Sequence, residues 1–66
     1  MFGTVTRYFR DKGYGFIRGQ NEKTYFVHKS DLNGEYIDKD YYVSFKPYHT
    51  KKGDKAEEII VVEAPE

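Results

Sequence analysis

With 66 residues, the chain has room for one domain, residues 1–66, and a domain this short is only marginally stable. No cysteine is present, which removes disulfides and four-cysteine zinc sites and fits a reducing, cytoplasmic setting. Eleven basic and eleven acidic residues cancel, which argues against a protein that grips duplex DNA mainly through its phosphates.

Apolar residues recur with a period near two, so the elements read as strands. Strand 1 is predicted over about Gly3–Phe9 and strand 2 over about Tyr14–Arg18, with Asp11-Lys12-Gly13 as the turn between them. Strand 3 follows over about Thr24–His28, after a turn at residues 19–23. Residues 30–40 read as irregular, with Ser30 as the cap of a short helical turn that Asn33-Gly34 would end. Strand 4 is expected over about Tyr41–Tyr48 and strand 5 over about Glu57–Glu63, with residues 50–54 as the connecting turn. The longest aliphatic run, Ile59-Ile60-Val61-Val62, is far too short to cross a bilayer, and no charged segment before an apolar one suggests a signal peptide. Five short strands without an amphipathic helix predict an all-β fold, a small closed or nearly closed five-stranded antiparallel barrel, because closure removes unpaired edges. An SH3-like barrel is the alternative architecture.

Seven Tyr and five Phe make up 18% of the chain, more rings than so small a core can hold. Some must reach the surface, where exposed apolar area usually has a use. On strand 2, Tyr14 and Phe16 share one face, and Gly13, Gly15 and Ile17 the other; on strand 3, Phe26 and His28 oppose Tyr25 and Val27. Both faces carry apolar groups, yet no helix is available to cover a second one. Compact Val5, Gly15, Ile17 and Val27 suit a narrow barrel interior, which leaves Tyr14, Phe16, Phe26 and His28 outside. For a lone Phe the core reading would win, but the glycines at 13 and 15 mark close approach of other groups and favour the exposed platform. Flat rings stack on any base, and bases are free to stack only when unpaired. Arg7, Arg10, Lys12 and Lys29 lie near in sequence and suit phosphates. Tyr41, Val43, Phe45, Ile59 and Val61 read as core, and Tyr42, Tyr48, His49 and Lys51-Lys52 as surface or turn.

Lys12-Gly13-Tyr14-Gly15-Phe16-Ile17 resembles the first nucleic-acid-binding motif of the cold-shock domain family, usually Lys-Gly-Phe-Gly-Phe-Ile. Phe26-Val27-His28, with Ser30 two residues on, is similar to the second, usually Val-Phe-Val-His-Phe-Ser. Gly3-Thr4-Val5 resembles the opening strand, and Val43-Ser44-Phe45 with Lys51-Lys52-Gly53 resembles strand 4 and its turn. The first motif also overlaps that of the RRM fold, which needs two helices and a longer chain. The resemblance implies an OB-type barrel that binds single-stranded RNA or DNA, with bases on Tyr14, Phe16, Phe26 and His28 and a basic contact from Lys12.

Several positions depart from the family pattern. Where the family has a stacking Trp late in strand 1, this chain has Arg7, and either its guanidinium plane or the neighbouring Tyr8 takes that role. Lys29 stands in place of the second motif's last Phe, and Tyr36 is the expected substitute for a loop Phe. The sequence-predicted function is therefore single-strand binding, with an RNA chaperone or cold-shock-type regulator as its setting. A peptide-docking barrel is the rival, weakened by the basic rim and the missing Trp. His28 has no partner arrangement for catalysis, and it lies too far from other candidate ligands for a metal. A monomer is expected, without cofactor, small-molecule substrate, membrane contact or enzymatic activity.

Overall fold

The computed structural model describes residues 1–65. Strands make up 60% of it. In chain order they are β1 (Phe2–Phe9), β2 (Tyr14–Gly19), β3 (Thr24–His28), β4 (Tyr42–Thr50) and β5 (Gly53–Glu63), with a single 3-10 turn at Lys29–Asp31 between β3 and β4. The strands close into a barrel in the order β1-β2-β3-β5-β4. Four junctions are antiparallel, as expected, whereas β3 and β5 run parallel, with Phe26 opposite Lys55. A ring of five strands requires this: alternation of direction cannot be kept around an odd number.

The interior is filled by Val5, Ile17, Val27, Val43 and Ile59, together with Tyr25, Phe45 and Ala56. Tyr25 and Phe45 meet at 5.0 Å between ring centroids, and the buried Tyr25 hydroxyl accepts a hydrogen bond from Asn21 Nδ2 at 2.9 Å. The polar tip of an otherwise apolar group is thereby satisfied at the barrel end. Leu32 and Ile37 complete the core from the irregular segment, where no periodicity pointed to them. Tyr41, expected in strand 4, precedes β4 and packs partly buried against the core with Tyr8 and Val61.

Three register shifts interrupt the ladders, between Val5 and Arg7, between Tyr42 and Val43 and between Ser44 and Lys46, and the first and last set which side chains face out around them. The β1–β2 register runs Val5 opposite Ile17 and then Arg7 opposite Phe16, so Thr6 is an extra residue in β1. After it the inward positions continue at Tyr8 rather than Arg7, and Arg7 and Phe9 turn outward. In β5 a second bulge lies opposite the stretch from Ser44 to Lys46, and Glu58 adopts a left-handed φ of 52° there. It lets Ala56 and Ile59, an odd number apart, both point inward.

The turn between β4 and β5 is tighter than expected. His49 pairs with Asp54 and Thr50 with Gly53, which leaves only Lys51 and Lys52 in the loop and starts β5 four residues before Glu57. Gly53 and the polar Asp54 and Lys55 concealed the start of that strand. The cap of the 3-10 turn is also not Ser30 but His28, whose Nδ1 accepts from the Ser30 backbone N–H at 3.2 Å, while Asp31 Oδ2 accepts from the His28 N–H at 3.4 Å.

Candidate nucleic-acid interface

β1, β2 and β3 carry the candidate interface on their shared outer face. Cross-strand pairing places Phe9, Tyr14 and His28 in one row and Arg7, Phe16 and Phe26 in the next. The rings touch one another: Phe9–Tyr14 at 5.4 Å between centroids, Tyr14–Phe26 at 5.7 Å, Phe16–Phe26 at 6.0 Å and Tyr14–Phe16 at 6.2 Å. Tyr14 and Phe26 are near parallel at 28°, while Phe16 meets both close to edge-on. Such tilted and offset contacts are the favoured aromatic geometries, so the cluster holds its own shape. Phe26 is 37% exposed, and Tyr14, Phe16 and His28 are half-buried against their neighbours.

Local sequence explains the exposure. Gly15 faces inward between Tyr14 and Phe16, and Tyr8 closes over it from β1. Gly13, at the end of the β1–β2 turn, has φ 73°, and its N–H donates to the Phe9 carbonyl at 2.8 Å. The aliphatic stem of Lys29 lies across Gly13, and the Lys29 N–H donates to the Gly13 carbonyl at 2.8 Å. The base of the Lys29 side chain is thereby held next to Gly13, at the end of β3 beside His28. The Lys12 Nζ stands 5.6 Å from the Phe9 centroid, a cation over a ring on the same face.

The His28 ring is fixed as well. Its Nδ1 accepts from the Ser30 N–H and lies 2.9 Å from Ser30 Oγ. A ring nitrogen that accepts from a backbone N–H carries no proton, so the neutral ring keeps its proton on Nε2.

Of the sequence-predicted residues, Arg7, Lys12, Tyr14, Phe16, Phe26, His28 and Lys29 come together on this face. Tyr8 and Tyr36 do not. Tyr8 packs inward against the core. Tyr36 is exposed in a second cluster, 5.7 Å from Tyr41 and beneath the Arg10 guanidinium at 4.2 Å. Arg10, expected near phosphates, is held there: it donates to the Ile37 carbonyl at 3.1 Å, pairs with Asp38 at 3.6 Å and stands 5.5 Å from the Tyr8 ring. Phe9 is the ring that sequence reasoning missed, because strict alternation from Val5 turns it inward. The available signal was Gly15, a strand glycine opposite a neighbour that bulges over it.

Past Phe26 the face runs into a groove of about 600 Å³ between β2–β3 and the β4–β5 hairpin tip. Phe16 and Phe26 line it together with Thr24, Thr50, Lys52, Asp54 and Lys55. Lys55 is engaged with Glu57 at 3.2 Å and Asp31 at 3.8 Å.

A closed five-stranded barrel with this surface defines the OB-like class of small barrels. The 'cold-shock' DNA-binding domain matches residues 1–62, and the chain belongs to that family of nucleic-acid-binding domains. No curated protein matches the chain. Among the described residues no helix is long and apolar enough to cross a membrane.

Proposed function

We propose that this protein binds unpaired RNA or DNA by stacking bases on Tyr14, Phe16, Phe26, His28 and Phe9, with Arg7, Lys12 and Lys29 meeting phosphates. The observation that carries this reading is the outer row of mutually supporting rings on β1, β2 and β3, with cations at its margins. Rings already packed edge and face against each other lose little freedom when a base arrives, so the stacking gain of about 1–3 kcal/mol per base is largely retained. In a duplex the faces of the bases are covered by their neighbours, so the rings select open strands. Binding only the open form shifts a weak hairpin toward melting without any fuel. On this basis the protein acts in the cytoplasm as an RNA chaperone or a regulator of the cold-shock type.

The test is a fluorescence-anisotropy titration of one pyrimidine-rich sequence, presented as a single strand and as a duplex, at low and moderate salt. Saturable binding of the strand, with duplex at least a hundredfold weaker, is the expected result. Equal binding of the two contradicts the stacking mechanism and leaves contacts to phosphates alone, and binding of neither contradicts the proposal and moves a peptide-docking role to first place.

A further inference from the structure

The groove beyond Phe26 differs in chemistry from the ring platform it adjoins. Its floor is aromatic, from Phe16 and Phe26, but its far wall comes from the β4–β5 hairpin and is polar. Within that wall Asp54 is a carboxylate with a fixed orientation. Its Oδ1 stands 2.7 Å from His49 Nδ1 across the hairpin, where the two residues are a register pair. The Asp54 side chain is 25% exposed, whereas His49 is 87% exposed, so His49 props the carboxylate from the solvent side. The Thr50 hydroxyl is occupied, donating to the Gly53 carbonyl at 2.7 Å, and it holds the tip rather than reading a ligand. Lys52 stands at the rim, where a phosphate would pass.

A carboxylate that faces a nucleic acid repels phosphates and is useful only at a base edge. It accepts and cannot donate. A thymine or uracil edge offers one N–H between two carbonyl oxygens, which the carboxylate repels. Guanine offers two adjacent donors, N1–H and N2–H, which the other oxygen of the Asp54 carboxylate and the second lone pair of Oδ1, beside its bond to His49, can accept. Cytosine and adenine each offer one amino group beside an acceptor.

We propose that this groove is a base-reading site, in which a base stacked on Phe16 and Phe26 presents its Watson–Crick edge to Asp54, and that it takes guanine in preference to thymine or uracil. The inference rests on the stacking function proposed above and adds to it a residue that discriminates among bases.

The experiment uses the full chain and labelled dT heptamers in which a single dG is moved through each position. One register position is expected to tighten binding about tenfold over dT7, within the range a bidentate base contact supplies. Deoxyinosine, which lacks the N2 amino group, should recover only part of that gain at the same position. Asp54→Ala and Asp54→Asn should both lose the preference while binding dT7 at least as tightly as the parent, since the charge that repels thymine is gone, and thermal unfolding shows whether each variant remains folded. A dG that gives no gain at any position, a deoxyinosine equal to dG, or a preference that survives in both folded variants overturns the proposal while leaving stacking intact. Failure of the parent protein to bind any of these strands overturns the stacking function and this inference together.

Discussion

A Cβ on Gly15 would overlap the Arg7 carbonyl oxygen and lie 2.8 Å from Tyr8 Cα, both on backbone that cannot swing aside. The missing side chain is what lets β1 bulge at Thr6 and bring Arg7 and Phe9 to the ring face. Gly15→Ala should therefore cost about 1–3 kcal/mol, the usual penalty of overpacking, as read by urea unfolding. An unchanged midpoint would show that the bulge does not depend on this contact. Arg10 makes a contrasting case. Wedged between Tyr8 and Tyr36 and bonded to the Ile37 carbonyl, it holds the segment after the 3-10 turn onto the barrel. Arg10→Ala is expected to lower stability by about 1–2 kcal/mol and to change the affinity for a short strand less than twofold. A large loss of affinity in a variant of parental stability would instead return Arg10 to the phosphates.

The elements show how much of this was legible in the sequence. Alternation along β2 and β3 placed Ile17 and Val27 inside and Tyr14, Phe16, Phe26 and His28 outside, because both strands are regular through those residues. It failed at Phe9 and Tyr8, since a bulge shifts the pattern by one and leaves no compositional mark on the bulged residue itself. The early start of β5 was hidden for a different reason: its first residues, Gly53 to Lys55, extend a hairpin beyond the core, where nothing apolar is needed. Leu32 and Ile37 are buried by tertiary closure of an irregular segment, which no local period announces.

His28 joins the last residue of β3 to the 3-10 turn, serving as cap and as ring at once. Asn keeps an acceptor at the cap but lacks the ring. His28→Asn should hold stability within about 0.5 kcal/mol and still weaken single-strand binding severalfold, whereas His28→Ala should lose both; equal affinity of His28→Asn and the parent would remove His28 from the interface. At the β5 bulge, the left-handed Glu58 is strained as any non-glycine residue is, so Glu58→Gly should stabilise by about 0.5–1 kcal/mol in chemical denaturation. A clear destabilisation would mean that the Glu58 side chain outweighs the backbone strain.

Across the whole molecule, zero net charge coexists with a cationic margin, Arg7, Lys12, Lys29 and Lys52, around one aromatic face. If all four meet phosphates, the logarithm of the affinity should fall with the logarithm of salt with a slope of about −3. A slope near zero would place the margin outside the contact. On the stacking account proposed above, a near-neutral barrel of this kind draws most of its affinity from its rings. The most direct test is therefore to remove the rings while keeping apolar side chains: Phe16→Leu and Phe26→Leu, each confirmed as folded by thermal unfolding and titrated against the same labelled single strand. The stacking account predicts a loss of roughly tenfold for each, since a base stacked on a ring is worth about 1–3 kcal/mol. Affinity equal to the parent in both folded variants would contradict it.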